Sequence, residues 1–488
     1  MVGPHRLPCE TPEAHRPRDG RAGGATRWVL PVAILGSSLS FIDGSVVNVA
    51  LPAMQRDLET QIATMQWVAN GYMLTLASLI LLGGSAGDRF GRRRIFMSGL
   101  VGFAAASLAC GLAPSAGWLI AARLAQGAAA ALLVPSSLAI IGAAYSGEAR
   151  GRAIGTWAGA GALTTALGPA LGGWLVDTVG WRSIFFINLP LAACALLMAL
   201  KLPADREAEV DEPLDARGGL LAVAALGLLS YGLIALGDGQ TVVGAIVIAA
   251  AVPAGWLFLR SEQRAEAPMM PVSLFDNDDF AGANGLTVLL YAALTGGLFL
   301  LPFMLIQTHG YSATAAGAAF LPFSAIMGFG SRWAGGLIDR FGARPPLVAG
   351  PAITAAGYVL LGLTGSDPSY WSGFLPGLIV IGIGMTIAVA PLTTTVFNSA
   401  PEERSGAASG INNAAARAGG LIAVAALGLA FGGADPSAVQ PDGMTAAYRL
   451  VMFVAAGLAA LSALTAAMTI SSSPDRPSPD RPARPDQA

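Results

Sequence analysis

The sequence predicts an all-α protein that crosses a membrane fourteen times, with two pseudo-symmetric six-helix bundles and two further helices between them. Of its 488 residues, 54% are hydrophobic and 12% are charged, whereas soluble proteins carry about 25% charged residues. Apolar runs of about 20 residues, long enough to span a bilayer, recur along the whole chain. A large soluble protein would need helices with charged faces, and the sequence has almost none.

The chain also repeats itself. The pattern Gly-x-x-x-Asp-Arg-Phe-Gly-x-Arg occupies residues 84–93 and returns at 335–344, an offset of 339 − 88 = 251 residues. Glycines at 151 and 155 return at 406 and 410, an offset of 406 − 151 = 255 residues. Two repeats with nearly the same offset indicate that a whole unit was duplicated.

The apolar runs predict the number and order of the helices. They occupy residues 28–52, 65–86, 95–113, 117–144, 151–176, 183–201, 218–236, 241–259, 280–307, 313–336, 345–364, 371–396, 405–432 and 444–470. The repeat offset makes the ninth helix the counterpart of the first, so the seventh and eighth helices are inserted between the two halves.

The polar stretches between these runs divide the chain into seven segments. These are a disordered tail (1–27), the first bundle (28–201), a polar linker (202–217), the inserted helices (218–260), a second linker (261–279), the second bundle (280–470) and a disordered tail (471–488). The tails are rich in Pro and Arg and have no apolar run, which is typical of disorder.

Basic residues mark one set of loops. That set contains Arg89, Arg92, Arg93, Arg94, Arg150, Arg152, Lys201, Arg206, Arg217, Arg260, Arg264, Arg340, Arg344 and Arg404. The opposite loops hold little beyond Arg56, Arg182 and Arg449. Because loops rich in Arg and Lys stay in the cytoplasm, we expect the first set and both termini to be cytoplasmic, in a bacterial plasma membrane.

Composition excludes several kinds of site. The three cysteines and three histidines show no spacing typical of a metal site or a disulfide framework. The only lysine, Lys201, precedes Leu202, so the chain has no Gly-Lys-Ser/Thr loop for nucleotide phosphates. A net charge of −2 gives no indication of a nucleic-acid partner. A transporter of this composition would use an ion gradient, or the gradient of its own substrate, and no cofactor.

Charged residues inside the predicted helices are candidates for function, because a charge at the centre of a membrane helix costs several kcal/mol. Asp43 in the first helix and Arg123 in the fourth lie at similar depths and could pair or share a proton-linked network. Gln126, one turn after Arg123, and Asn48 add hydrogen-bonding groups. A static structural ion pair is the alternative interpretation.

The second bundle offers a different pair. Arg417, together with Asn413, lies in the thirteenth helix, and we include both among the candidates for proton coupling or substrate binding. For Gln126 and Asn48 in the first bundle, a contact between helices is the alternative.

The repeated charged turn predicts a conformational latch. Its members are Gly84, Asp88, Arg89, Gly91, Arg92 and Arg93 in the first copy and Asp339 and Arg340 in the second. The acid can meet a helix N-terminus, and the arginines can meet helix C-terminal carbonyls or lipid phosphate. Such contacts can form in one conformation and break in another, although a basic loop can also serve as a topology signal alone.

The fifth helix contains a cluster of glycines around a proline. Gly168, Pro169, Gly172 and Gly173 allow close helix crossing, and the proline removes a backbone donor. Such a helix can seal or rock against its neighbour. Ordinary membrane packing, in which Gly and Pro are common, is the alternative.

These motifs resemble the major facilitator superfamily, and specifically its 14-helix drug:proton antiporter branch, over residues 28–470. Residues 84–94 resemble the loop 2–3 signature, with Ala86 where Leu is usual. Residues 119–127 resemble the helix 4 motif, 168–173 the antiporter motif of helix 5, 43–52 the helix 1 motif and 180–190 the beginning of helix 6. The resemblance implies the major facilitator fold and links Arg123 to proton coupling. Dication exporters of this branch carry extra acids deep in the second bundle; their absence here leaves neutral, anionic or singly charged substrates open.

The sequence therefore predicts a monomeric, proton-driven antiporter that exports amphipathic small molecules, such as drugs, antibiotics or secondary metabolites, by alternating access. A proton bound near Asp43 and Arg123 would shift the balance between two conformations. An uptake symporter or uniporter on the same scaffold is the first alternative, and a membrane-embedded enzyme or sensor is the second.

Overall fold

The computed structural model describes residues 23–203, 214–364, 369–401, 404–431 and 441–471. The expected disordered tails, and residues 204–213 of the expected linker, lie outside the described residues except where the tails meet the first and last helices. The first helix begins at Gly23, four residues before the predicted end of the tail. Within the described part, nearly all residues are helical.

Fourteen long helical segments follow one another in the predicted order. The first bundle contains α1 (Gly23–Asp57), α2 (Ile62–Phe90), α3 (Arg92–Gly111), α4 (Ala116–Ala144), α5 (Gly147–Thr178) and α6 (Ser183–Ala199). The inserted pair is α7 (Ala216–Gly237) and α8 (Thr241–Arg264). The second bundle contains α9 (Asp278–Thr308), α10 (Ala313–Ala318, continued by Leu321–Ala334), α11 (Arg344–Leu363), α12 (Tyr370–Asn398), α13 (Ser405–Phe431) and α14 (Pro441–Thr469).

The predicted all-α membrane fold is confirmed. In the described part of the chain, 12 helices are long and apolar enough to cross a membrane. The two others are α5, whose 32 residues include many glycines, and α6, which is shorter and is interrupted at Ile187. Together they complete the predicted arrangement of six, two and six helices.

The two bundles repeat the same packing. In the first, α1 packs on α5, and both α2 and α3 pack on α4; in the second, α9 packs on α13, and both α10 and α11 pack on α12. A single glycine with positive φ follows the second helix of each bundle, Gly91 at 98° and Gly342 at 77°. These glycines are 342 − 91 = 251 residues apart, the offset of the sequence repeat.

The inserted helices lie at one seam between the bundles. α7 packs against α8 and also against α2 and α13, so it touches both halves. α8 packs mainly on α7, and its large apolar side chains, including Val242 and Ile246, are exposed. In a membrane this surface contacts lipid.

Several helices are longer than predicted. α1 continues through Pro52 to Asp57. The proline removes one backbone hydrogen bond, and the full burial of Leu51 and Met54 beside it offsets this loss. α2 and α3 extend into the expected charged turn, which leaves Gly91 as its one non-helical residue. We call the face on which α1 begins and α14 ends the tail side, and the opposite face the far side.

Candidate functional site

A buried ion pair lies in the middle of the first bundle. The carboxylate of Asp43 on α1 binds the guanidinium Nη1 of Arg123 on α4. Asp43 is 2% exposed and Arg123 is 1% exposed. A pair enclosed in this way is costly to desolvate, and removal of one member leaves an uncompensated buried charge. The structure thus brings together the two charged residues that sequence analysis placed at similar depths.

Three polar side chains complete the network around this pair. Gln126 donates from Nε2 to Asp43 Oδ1 at 2.8 Å and accepts from Arg123 Nη1 at 2.7 Å. Asn188 of α6 donates to Asp43 Oδ1 at 3.5 Å and to Ser107 Oγ of α3 at 2.9 Å. Gln126 also donates to Ser107 at 3.1 Å. Arg123 and Gln126 reach the same carboxylate because residues three apart share one face of a helix.

Arg123 has a second set of contacts on α2. Its Nε donates to the Val68 carbonyl at 3.1 Å, and its Cζ lies 4.4 Å from the centroid of the Tyr72 ring. The ring face attracts the cation, while the Tyr72 hydroxyl bonds to Ser40 Oγ at 2.6 Å. Sequence analysis did not select Ser107 or Tyr72, which are single polar residues without a motif; Asn188 lay inside a quoted motif but received no role.

The remaining candidates lie elsewhere. Asn48 is half-buried on α1, five residues after Asp43, and does not join these hydrogen bonds. Arg417 is half-buried on α13 in the second bundle. Asn413, one turn before Arg417, is exposed and donates to the Ser409 carbonyl at 3.1 Å. The candidates therefore form two groups, one in each bundle.

The first latch motif joins α2 to its neighbours on the tail side. Asp88 accepts from Arg92 Nε at 3.0 Å and Nη2 at 2.9 Å, so its partner is the first side chain of α3. Arg92 Nη1 also donates to the Ala139 carbonyl near the end of α4 at 3.3 Å. Arg93 donates to the Leu200 carbonyl after α6 at 3.0 Å. These arginines do meet carbonyls at helix C-terminal ends. A Cβ on Gly84 or Gly87 would lie in van der Waals contact with α4.

The second latch motif repeats part of this arrangement. Arg340 is exposed in the short helix Leu337–Phe341, whereas the side chain of Asp339 lies outside the described part of the structure. Arg344, which is 344 − 93 = 251 residues after Arg93, donates to the Ala467 carbonyl near the end of α14. Since α14 is the counterpart of α6, the arginine-to-carbonyl contact is duplicated along with the fold.

The glycines of α5 are positions where other helices approach closely. A Cβ on Gly168 would overlap Ser45 of α1, and one on Gly172 would lie 2.8 Å from a methyl group of Val46. A Cβ on Gly173 would overlap the Ala313 carbonyl of α10, and the Pro169 carbonyl lies against Gly317 of α10. The motif therefore closes α5 against both α1 and the second bundle.

Hydrogen bonds between the bundles are found on the far side. Asp177, at the end of α5, accepts from the backbone N–H groups of Ala313 at 3.1 Å and Thr314 at 2.7 Å, the first residues of α10. A carboxylate suits this position because the N-terminal end of a helix carries positive potential. Gln66 of α2 donates to the Val424 carbonyl of α13 at 2.6 Å. Sequence analysis missed both contacts, since neither residue belongs to a motif.

The same face of α5 loses contact with α10 toward the tail side. Positions 155, 159, 162, 166, 169 and 173 form one stripe, spaced by three or four residues. Gly173 is buried, whereas Gly155 and Gly159 are exposed and a Cβ on either would have no neighbour within 4 Å. The structure is therefore closed on the far side and open on the tail side along this seam.

A comparison with protein families identifies the scaffold. The model of the Major Facilitator Superfamily matches residues 33–424. The chain belongs to this superfamily. The tetracenomycin C resistance and export protein of Streptomyces glaucescens is 35% identical over 423 residues, 85% of this chain and 78% of that protein. The multidrug resistance protein Stp of Mycobacterium tuberculosis is 38% identical over 397 residues, 81% of this chain and 74% of that protein.

A solved structure shows the same fold. A bacterial homologue of the human lysosomal transporter Spinster, in an inward-facing and unoccupied conformation, superposes with a TM-score of 0.65 at 18% identity, over 91% of this chain and 97% of that one. Membership of the superfamily, its curated relatives and the 12 described helices that could span a membrane make this chain a multi-pass membrane transporter of small molecules and not an enzyme. The expected superfamily is confirmed.

Proposed function

We propose that this major facilitator protein is a proton-coupled antiporter that exports amphipathic small molecules across a bacterial plasma membrane. The observation that carries the proposal is the Asp43–Arg123 ion pair, enclosed by polar side chains inside one bundle. The tail side is the cytoplasmic side, with both termini on it. The transporter acts as a monomer and needs no cofactor other than the proton gradient.

The ion pair gives a proton a way to bias the conformation. A proton on Asp43 cancels the charge that balances Arg123, so the guanidinium becomes a buried cation without a counter-ion. Such a cation is costly, and the bundle must rearrange or admit water to accommodate it. The proton can shift the equilibrium only by its different affinity for the tail-open and far-open states.

The relatives support export as the direction of transport. One is described as a resistance and export protein and another as a multidrug resistance protein. In this chain the antiporter motif of α5 seals α5 against α1 and α10 on the far side. A cytoplasmic compound would enter from the open tail side and leave when this seal parts, in the alternating-access manner of such transporters.

Inside-out vesicles from a host that expresses the chain test this proposal. Respiration acidifies their interior, and a pH-sensitive dye reports the gradient. An antiporter accumulates an added compound from a drug panel inside the vesicles and releases protons, so the dye signal recovers; an uncoupler abolishes the uptake. Movement of compound and protons together out of the vesicles would instead indicate an uptake symporter. Uptake of the compound that the uncoupler does not change would indicate a uniporter.

A further inference from the structure

We propose that Arg417 recognises a negatively charged group on the transported molecule, so that the substrates are amphipathic organic anions such as aromatic carboxylates or acidic phenols. This inference rests on the proposed export function and specifies its substrate class. It is carried by the contrast between Arg417 and Arg123, a buried arginine in the middle of the first bundle.

Arg417 lacks the partners that a buried guanidinium normally has. Its Nε is buried and has no hydrogen-bond acceptor, while the side chain as a whole is half-buried. A buried charged donor without an acceptor costs considerable free energy. Arg123, in contrast, binds a carboxylate, an amide oxygen and a backbone carbonyl. Of these two arginines, Arg417 is the one with a donor left for a ligand.

Among the described residues of the second bundle, no acid lies at the depth of Arg417. Arg417 lies 417 − 405 = 12 residues into α13, which is about 18 Å from its tail-side end. In the described helices of the second bundle, acids occur in terminal turns or in the short helix Leu337–Phe341. The carboxylate of Asp43, in the first bundle, is already bound by Arg123 and Gln126.

Among the described residues, the titratable side chains coupled electrostatically to Arg417 are two phenols. Tyr72 comes from α2 and Tyr291 from α9, and both are neutral at physiological pH. The guanidinium supplies a planar pair of donors suited to a carboxylate, and the partly exposed ring of Tyr291 supplies apolar surface. The Tyr72 ring is 1% exposed and lies against Arg123, so it is not part of the ligand surface. Asn413 is exposed one turn nearer to the open tail side, where it can contact an incoming polar group. An acidic head on an aromatic body fits this combination.

The depth of Arg417 favours a transported molecule over a lipid headgroup as the source of the anion. Phosphate headgroups lie at the surfaces of a hydrocarbon layer about 30 Å thick, whereas Arg417 lies near the middle of its helix. A lipid phosphate would have to leave the surface to reach it. A compound that enters between α5 and α10 from the tail side would reach Arg417 without such a displacement.

Binding measurements on purified full-length protein test this inference without a proton gradient. The probes are 2-naphthoate and 2-naphthamide, which share a ring system and differ in charge. Equilibrium dialysis measures their binding to the protein in phosphatidylcholine nanodiscs, and empty nanodiscs serve as blanks. Because hydrogen bonds to charged groups are strong, the wild type should bind naphthoate about tenfold more tightly than naphthamide. Arg417→Gln should abolish the preference, Arg417→Lys should retain part of it, and Arg449→Gln, which removes an exposed arginine, should leave it intact.

Three results would overturn the inference. They are equal binding of both probes by the wild type, an unchanged preference in Arg417→Gln, and displacement of naphthoate by phosphatidylglycerol through Arg417, which would assign the site to lipid. A loss of folding in Arg417→Gln would show in its thermal unfolding, and Arg417→Lys then decides. Failure here is separable from failure of the proposed function, because proton-linked uptake of a neutral compound would persist in vesicles.

Discussion

The two bundles share a scaffold but differ in how they hold charge. In the first, Asp43 and Arg123 neutralise each other inside a complete set of hydrogen bonds. At offsets of 251–255 residues, the counterparts of Asp43 are residues 294–298, Leu-Thr-Gly-Gly-Leu, and those of Arg123 are 374–378, Phe-Leu-Pro-Gly-Leu. Conversely, Arg417 corresponds to residues 162–166, Ala-Leu-Thr-Thr-Ala. Each bundle therefore has its own charged residues, with no counterpart in the other.

The contrast separates what duplication preserved from what function later added. The preserved features are mechanical: the packing of equivalent helix pairs, the positive-φ glycine after the second helix, and an arginine bound to a helix-end carbonyl. The features that differ are the charged residues inside the helices. We interpret the first bundle as the proton-responsive half and the second as the half that contacts the substrate's charge.

The largest effect is expected from Asp43→Asn. The variant should lose proton-dependent uptake into inside-out vesicles completely, because the side chain that pairs with Arg123 can then no longer bind a proton. It should also unfold more easily, since breaking a buried ion pair costs about 3–5 kcal/mol. Uptake and thermal unfolding of membrane-inserted protein measure the two effects.

A double variant separates coupling from stability. Asp43→Asn with Arg123→Gln removes both charges and should recover part of the lost stability while remaining uncoupled. Normal proton release from Asp43→Asn would exclude this carboxylate as the coupling group and assign the pair a structural role.

A somewhat smaller effect is expected from Gly173→Ala. The new methyl group would collide with the Ala313 carbonyl, a backbone atom that cannot rotate away, so α5 and α10 must separate at a cost of about 1–3 kcal/mol. Hydrogen exchange of the amides in Ala313–Ala318 should become faster. Gly159→Ala is the matched control, because its methyl group meets no neighbour; equal exchange in the two variants would contradict the seal described for the far side.

The duplicated glycines allow the scaffold itself to be compared. Gly91→Ala and Gly342→Ala each force an L-residue to positive φ and should cost about 1–2 kcal/mol. If the two bundles are mechanically equivalent, the thermal unfolding temperature should fall by similar amounts in the two variants. A loss confined to one copy would show that the tail-side turns are not equivalent.

The smallest effect is expected from Asp177→Asn. Replacing the charge weakens two backbone hydrogen bonds between the bundles by about 1 kcal/mol in total, which shifts the equilibrium roughly fivefold toward the far-open state. Spin labels at Val179 and Ala315, both exposed, should report a larger population of long distances. Asp57→Asn is the control, since Asp57 binds Trp181 and Arg182 within one bundle; the same shift in both variants would rule out a specific latch.

The sequence was sufficient for the architecture because hydropathy and duplication act over long stretches. It also indicated the Asp43, Arg123 and Gln126 cluster, since charged residues in apolar helices are few. It did not indicate Ser107 or Tyr72, whose roles depend on which helices become neighbours. The sequence did not indicate the role of Asp177 either, because its partners include backbone groups about 136 residues away. The helix ends predicted at Pro52 and Ala86 were misplaced, since burial and packing overrode the local signals of proline and glycine.

Infrared titration of the purified protein tests most directly whether the first bundle holds the coupling proton. Difference spectra between acidic and neutral pH report the carbonyl stretch of carboxyl groups that become protonated. The wild type and Arg417→Gln should show a band from a buried carboxyl group that is missing in Asp43→Asn. Identical spectra for the wild type and Asp43→Asn would contradict the assignment of proton binding to Asp43.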